Sequence, residues 1–481
     1  MKILQKYEGK DRACFYPYLI DDDLTVYNYP IEILDFLKVN RDFFKSKDAV
    51  KKVFSDGMEL FLVNIGKKDA VSFEVVREYA NICYKTASSE LIKNFNLRIY
   101  PGLWQLDKEC VYSSTMESLL LSGYSYNVFK KVDGIKFTID EVCIVSDVKI
   151  DRESDQINRV EIVSKSVVRA RDLINGPANL VDIEYFQNEV KKVVDDNGLA
   201  FEVFNHEDLA KMNMNLLLAV GQAALQPPRL LKITYTHKTP KKKIILAGKG
   251  IIFDTGGLHI KTETFMDHMK CDMGGAAVVL SVIESVSKLA LPVELIVLIP
   301  LAENSVDAAS YHPGDIIVGH KGKSVEILST DAEGRLILAD TLSYADTLGA
   351  DIVLDVATLT GAVRIALGTK IAAGYFRNDE LRNNVIASSD RTGEAIWPMP
   401  LYEPYKKNLK SPVADLGNLG VPFREAGSVT AALFLGEFVD NNNWAHLDIA
   451  SVSFADNENY YIPKGGTGVP VRTLVDYIEH I

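Results

Sequence analysis

An α/β architecture in two domains, a smaller one at the N-terminus and a larger one after it, is predicted by three features of the sequence. The chain has 481 residues, more than one core ordinarily supports, since cores stop growing near ~250–300 residues. Apolar strand-like runs alternate with amphipathic helical stretches through the C-terminal part, the signature of βαβ units around a mixed, mainly parallel sheet flanked by helices. Near residue 150 the chain changes character, with no Gly/Ser/Pro run to make a floppy linker.

Taken in order, residues 1–150 read as a small α/β domain. Its strand-like runs are Met58–Ile65, Leu97–Tyr100 and Ile135–Val145, and helical periodicity covers Ala70–Glu90 and Thr115–Leu121. No chemical constellation stands out there, so an assembly or regulatory role is the expectation. Residues 151–174 open on a charged stretch and continue with Val160, Ile162, Val163, Val167, Val168, Ala170 and Leu173 at helical spacing. They form a connecting helix, closed by Asn175-Gly-Pro-Ala-Asn179. The second domain, 175–481, carries candidate strands at Lys243–Ala247, Val293–Pro300 and Asp351–Ala357, with helices at Gly274–Leu289 and Gly334–Thr347. Ligands of such sheets bind beyond the carboxyl ends of the strands.

Composition narrows the function. An apolar content of 47% excludes a disordered or fibrous chain. With 65 acidic against 53 basic side chains, the net charge of −12 argues against nucleic acid as the main partner. The 5 cysteines form no CxxC pair and suit buried thiols of a reducing compartment. The 8 histidines make no HxxxH or HxH pair, so any metal must rest on carboxylates. Met1–Glu8 lacks the apolar core of a signal peptide, and the uncharged run Met212–Pro228 is too short to span a bilayer. The expectation is a soluble, cytoplasmic protein with no membrane partner.

Two segments concentrate chemistry. The first runs Gly248-Lys249-Gly250-Ile-Ile-Phe253-Asp254-Thr255-Gly-Gly257-Leu-His259-Ile-Lys261 and continues through Met269-Lys270-Cys271-Asp272. A phosphate loop is excluded there: the Walker pattern is absent, position 253 breaks GxGxxG, and Asp254 would repel a phosphate. The second is Ser329-Thr330-Asp331-Ala-Glu333-Gly-Arg335-Leu336. Asp331, Glu333 and Arg335, spaced by two, face one side if that segment is extended. Alone they read equally well as a solvated turn or as metal ligands. Two carboxylates aimed together call for a cation, and bridging carboxylates suit a pair of divalent ions. Asp254 and Asp272 complete such a site, and Lys261 and Arg335 stand ready for a developing oxyanion.

These segments resemble the signature regions of the leucyl aminopeptidase (cytosol aminopeptidase) family of dinuclear metallopeptidases. The family's Asn-Thr-Asp-Ala-Glu-Gly-Arg-Leu pattern is matched at every position except Ser329. Pro227-Pro-Arg229, Trp444-Ala-His-Leu-Asp-Ile-Ala450 and Gly466-Thr-Gly-Val-Pro-Val-Arg472 extend the likeness, which covers about residues 170–481. The resemblance implies a metal-dependent aminopeptidase that releases N-terminal, preferentially Leu/Met-like, residues by means of a water bridging two metal ions. By the same resemblance, Asp254, Asp331 and Glu333 hold one ion, and Lys249, Asp254, Asp272 and Glu333 the other. The ions would be Mn²⁺ or Zn²⁺, with Mg²⁺ or Co²⁺ as further options. Lys261 would polarise the scissile carbonyl, and Arg335 would anchor bicarbonate as general base. Met269, Thr358, Gly361 and Ala450 would line the pocket for the first residue. A homohexamer is implied as well.

The family usually has Ser at positions 255 and 259, so Thr255 and His259 depart from it; Ser453 stands where relatives often have Met. In an extended segment His259 would share a face with Lys261, where it either only packs or caps, or tunes Lys261 or the substrate channel. His446 is assigned to packing, and Cys271 is expected to face away from Asp272 by alternation. A dinuclear phosphoesterase and a non-catalytic DNA-binding or scaffolding protein are the competing functions. The first lacks the histidines such sites recruit, and the second conflicts with the acidic charge.

Overall fold

In a computed structural model the chain resolves into two compact units, one of Met1–Ser164 with Asn457–Pro463, the other of Lys165–Asp456 with Lys464–Ile481. The described residues are 1–5, 13–21, 27, 29–40, 46–55, 57–130, 137–149, 155–423 and 425–481. Ile135 and the charged stretch 151–154 therefore lie outside them. Among the described residues no helix is long and apolar enough to cross a membrane.

The first unit is built on a six-stranded sheet in the order Lys2–Gln5, Glu141–Ser146, Asn94–Ile99, Ala13–Leu19, Met58–Gly66 and Val50–Ser55. All neighbours are parallel except the last pair, a hairpin. Helices Phe73–Ser89 and Lys108–Ser122 pack against each other. The second helix begins well before the expected Thr115, because Asp107 caps it by accepting from Cys110 N. Strands Lys2–Gln5, Ala13–Leu19 and Val50–Ser55 and helix Ile31–Val39 were not expected from the sequence. Ala13–Leu19 is buried along its whole length, so it shows no alternation, and it contains Pro17. Its pairing with Asn94–Ile99 stops at Phe15, which leaves the proline beyond that ladder.

The second unit carries a nine-stranded mixed sheet. Its order is Ile396–Met399, Ala372–Phe376, Trp444–Asp448, Ile352–Ala357, Lys242–Gly248, Val293–Asn304, Arg229–Thr236 and Ala200–Phe204, with Gly250–Asp254 pairing the far end of Val293–Asn304. The central strands run parallel. Ile245, Ala247, Ile296, Leu298 and Val353 share one cluster with helix Gly334–Thr347. The alternate residues Ile244, Leu246, Leu295, Val297 and Leu354 are equally buried and belong to the opposite face. Helix Gly274–Lys288 packs on the same strands and is buried from Gly274 to Val286. Apolar runs buried on both faces explain why these strands read as continuous hydrophobic stretches.

Candidate metal centre

The site forms beyond the carboxyl ends of the central strands. Strand Lys242–Gly248 ends where Lys249 N donates to Val356 O (3.0 Å) and Lys249 O accepts from Ala276 N (2.9 Å). This pins the lysine backbone between a neighbouring strand and the first turn of helix Gly274–Lys288. Its side chain is buried, and Nζ reaches Asp272 Oδ2 at 2.7 Å, Glu333 Oε1 at 2.9 Å and Thr358 O at 2.8 Å. Helix Gly334–Thr347 starts against this lysine: a Cβ on Gly334 would lie 2.5 Å from Lys249 Cε. Only glycine permits that approach.

Asp254 closes strand Gly250–Asp254. Its Oδ1 accepts from Gly256 N and from Asn304 Nδ2, both at 2.8 Å, and its Oδ2 meets Lys261 Nζ at 2.8 Å. Gly256 takes φ +88°, the left-handed value that turns the chain towards Lys261. Lys261 also pairs with Asp331, an exposed carboxylate. Asp272 follows the 3₁₀ turn Met269–Cys271, and its Oδ1 accepts from Thr358 Oγ1 (2.7 Å). Arg335 is buried in the first turn of its helix, with Nη1 donating to Asn418 O (2.8 Å) and Nε lacking a partner.

Asp254, Asp272 and Glu333 are all buried, with one oxygen of each within 4.8 Å of the others. Four carboxylates, counting Asp331, thus face two ammonium groups. Burial raises the Asp254 carboxyl to about 6, with the charge of Glu333 adding to it. Burial also raises Asp272 and Asp331 despite the nearby lysines. Glu333 alone is lowered: burial works against it, but Lys249 and Lys261 outweigh burial. Both lysines are raised, the carboxylates overcoming burial. Burial pulls the Arg335 guanidinium down to about 10. Carboxyls that would rather be protonated mark a site short of positive charge, and their hard oxygens suit divalent cations. The residues present therefore fit a metal centre.

The seven residues expected to do chemistry are thus linked by direct contacts or close approach, except that Arg335 joins through Asn418 and its neighbour Glu333. One local expectation is overturned. Residues 331–335 are not extended: Thr330 and Asp331 form a turn, and Glu333 already has helical angles (φ −75°, ψ −37°). Asp331 and Glu333 therefore face different lysines. His259 sits in a bend, where its N donates to Thr330 Oγ1 (2.8 Å) and its Nδ1 accepts from Thr330 N (3.2 Å). It ties the two signature segments together at Thr330 and makes no bond to Lys261 among the described residues. Cys271 lies in the 3₁₀ turn, so alternation does not govern it; burial raises its thiol to about 12. His446 is buried, with Nδ1 2.5 Å from Asp355 Oδ1.

Of the pocket residues, Thr358 touches Asp272, and Met269 opens the turn leading to Asp272. Gly361 starts helix Gly361–Leu367 with open space where a Cβ would be. Ala450 N donates to Asp448 Oδ1 (3.1 Å). Asp448 was not singled out from the sequence, yet it also accepts from Leu359 N and Thr360 Oγ1 and so joins both pocket segments. Asn304 and Asn418 were missed too. Asn304 ends strand Val293–Asn304, four residues past the expected Pro300, and a polar residue at that strand end was the available signal. Asn418 accepts from Leu328 N and Ser329 N and donates to Ser329 O and Ala332 O. No local pattern marks it.

Comparison with known proteins gives a consistent answer. The profile of the cytosol aminopeptidase family, catalytic domain, matches residues 168–475. A probable cytosol aminopeptidase of Thermosynechococcus vestitus is 38% identical over 422 residues, covering 87% of this chain and 84% of that protein. One from Syntrophotalea carbinolica is 40% identical over 370 residues, covering 76% and 74%. Among solved structures, a tomato leucine aminopeptidase mutant superposes with a TM-score of 0.88 at 28% identity, covering 100% of this chain and 97% of its own. A bottromycin maturation enzyme in complex with Mn gives a TM-score of 0.84 at 30% identity, covering 98% of each chain.

Proposed function

The chain belongs to the cytosol aminopeptidase family and is a metal-dependent aminopeptidase acting on peptides; on that premise we propose a dinuclear centre with preference for Leu- or Met-like first residues. The observation that carries this reading is the buried trio Asp254, Asp272 and Glu333, flanked by Lys249 and Lys261. In the proposal Asp254, Asp331 and Glu333 hold one divalent ion. Lys249, Asp254, Asp272 and Glu333 hold the other, so Asp254 and Glu333 serve both. Mn²⁺ or Zn²⁺ are the ions assigned. When bound, they supply Lewis acidity towards the scissile carbonyl and a nucleophilic water at neutral pH.

The chain's own groups divide the remaining work. Lys249, which the carboxylates now keep charged, would have to give up its proton to serve as a ligand beside divalent ions. Lys261 keeps its proton, and its ammonium stabilises the oxyanion of the tetrahedral intermediate. Arg335 offers its unpartnered Nε to a small anion, which we assign as bicarbonate in the role of proton acceptor. Asp272, braced by Thr358, reads the substrate's free α-amine and so restricts cleavage to the N-terminal residue. Met269, Thr358, Gly361 and Ala450 shape the pocket for its side chain. Asp448 supports this by fixing the backbone at both 359–360 and 450. The family resemblance adds a homohexamer, which sedimentation velocity measures directly.

The test is an assay of the purified protein with Mn²⁺ or Zn²⁺ on leucine p-nitroanilide, its N-acetyl derivative and a phosphodiester. Cleavage of the first alone, lost with a chelator, is expected. Glu333→Ala should abolish activity and reduce bound metal. A variant with wild-type turnover would refute the dinuclear assignment.

A further inference from the structure

A cavity lies in the first unit, remote in sequence from the metal centre. It has a volume of about 380 Å³ and is lined by Tyr27, Arg98, Tyr100, Leu103, Val145, Ser146 and Asp147. That volume falls within the range of small-molecule sites. Its place in the sheet is informative. Arg98 and Tyr100 stand at the carboxyl end of strand Asn94–Ile99, Val145 and Ser146 at that of Glu141–Ser146, and Tyr27 follows Ala13–Leu19. Asn94–Ile99 and Ala13–Leu19 are neighbours whose outgoing connections run to opposite sides, to Glu141–Ser146 and to the Val50–Ser55/Met58–Gly66 hairpin. This is the topological switch point of the sheet, where open α/β sheets bind ligands.

The lining is chemically two-sided. Arg98 stacks its guanidinium over Tyr16 (5.1 Å to the ring centroid), and its Nε is buried without a hydrogen-bond partner among the described residues. Asp147 accepts only at 3.4 and 3.3 Å, from Gly102 N and Leu103 N, and burial raises its carboxyl. Tyr100 is held by its OH to Tyr27 O (3.0 Å) and stands edge-on to the Tyr27 ring, making a rigid aromatic wall. Leu103 and Val145 are apolar. A guanidinium with its Nε still open among the described residues, an exposed carboxylate held only by long hydrogen bonds and an apolar wall describe the complement of a small zwitterion.

We propose that this cavity binds a free α-amino acid, its carboxylate on Arg98 and its ammonium on Asp147. The assignment is independent of the metal-centre reading. It is tested by isothermal titration of the full chain with L-leucine, with and without chelator, beside N-acetyl-leucine, leucinamide and acetate. The expected result is a leucine site of unit stoichiometry that survives chelation, with each blocked analogue at least tenfold weaker. Arg98→Gln and Asp147→Asn should each weaken it at least tenfold. Leu103→Trp, which fills the cavity and leaves both charges, should abolish it. Turnover of leucine p-nitroanilide should stay at the wild-type value in all three, which also reports that they fold. Leucine binding that vanishes with the metals, acetate binding as tight as leucine, or unchanged affinity in Arg98→Gln would each overturn the proposal.

Discussion

Lys261 is the residue whose environment speaks most directly. It is charged, largely buried and held between Asp254 and Asp331, so it cannot be an incidental surface cation. Lys261→Ala should lower kcat by about 10²–10³, the range for losing one oxyanion donor, with KM changing much less. A loss confined to KM would contradict that role. Asp254 makes a pH prediction. Its folded pKa of about 6 exceeds the ordinary 3.8, so between those values the folded metal-free chain binds more protons than the unfolded one. Its contribution to stability therefore falls as pH rises through that window. In chelator, Tm should decline from pH 4 to 6, Asp254→Asn should flatten the decline, and added metal should protect most above pH 6. Asp254, Asp272, Asp331, Glu333 and Lys261 were legible as charged residues concentrated in two short segments, whereas Lys249 entered only through the family resemblance. The packing or capping role open to His259 agrees with its bonds to Thr330, but that partner, 71 residues away, carried no signal in the sequence.

At the scale of elements, those named in the second unit followed apolar periodicity, helix Gly334–Thr347 at both ends, although strand Val293–Asn304 runs four residues past the expected Pro300 and strands such as Arg229–Thr236 and Trp444–Asp448 were not expected. In the first unit the periodicity failed where burial was complete, as along Ala13–Leu19, or where the segment was short, as at Lys2–Gln5. Loops escaped the sequence altogether, since their shape depends on remote brackets. Asn418 bridges 328–332 through four side-chain hydrogen bonds. Asn418→Ala should cost about 2–3 kcal/mol, because it strands buried backbone groups, and should also weaken metal retention. Chemical denaturation and metal analysis measure the two effects. Gly334→Ala offers the complementary case. Alanine is the better helix former, but its Cβ would displace Lys249. The fold should persist while metal affinity drops; unchanged affinity would mean that this close contact has no bearing on the site.

Across the whole molecule, the acidic balance and the scattered histidines pointed to carboxylates for any metal, and Asp254, Asp272 and Glu333 do lie together beside Lys249 and Lys261. The cysteines also behave as composition suggested. Cys14, Cys83, Cys143 and Cys271 are buried and Cys110 is half-buried, all free. Burial raises the thiols of Cys14, Cys83, Cys110 and Cys271, so few thiolates form near neutrality. Ellman's reagent at pH 7.5 should react slowly or not at all with the native protein and count all 5 thiols after denaturation. Rapid native labelling would mean that these segments open.

Lys249 pairs with Asp272 and Glu333, the same carboxylates proposed to hold an ion. A divalent cation and the lysine's proton therefore compete for those oxygens. Loading should release protons into weakly buffered solution, and affinity should fall steeply as the pH is lowered.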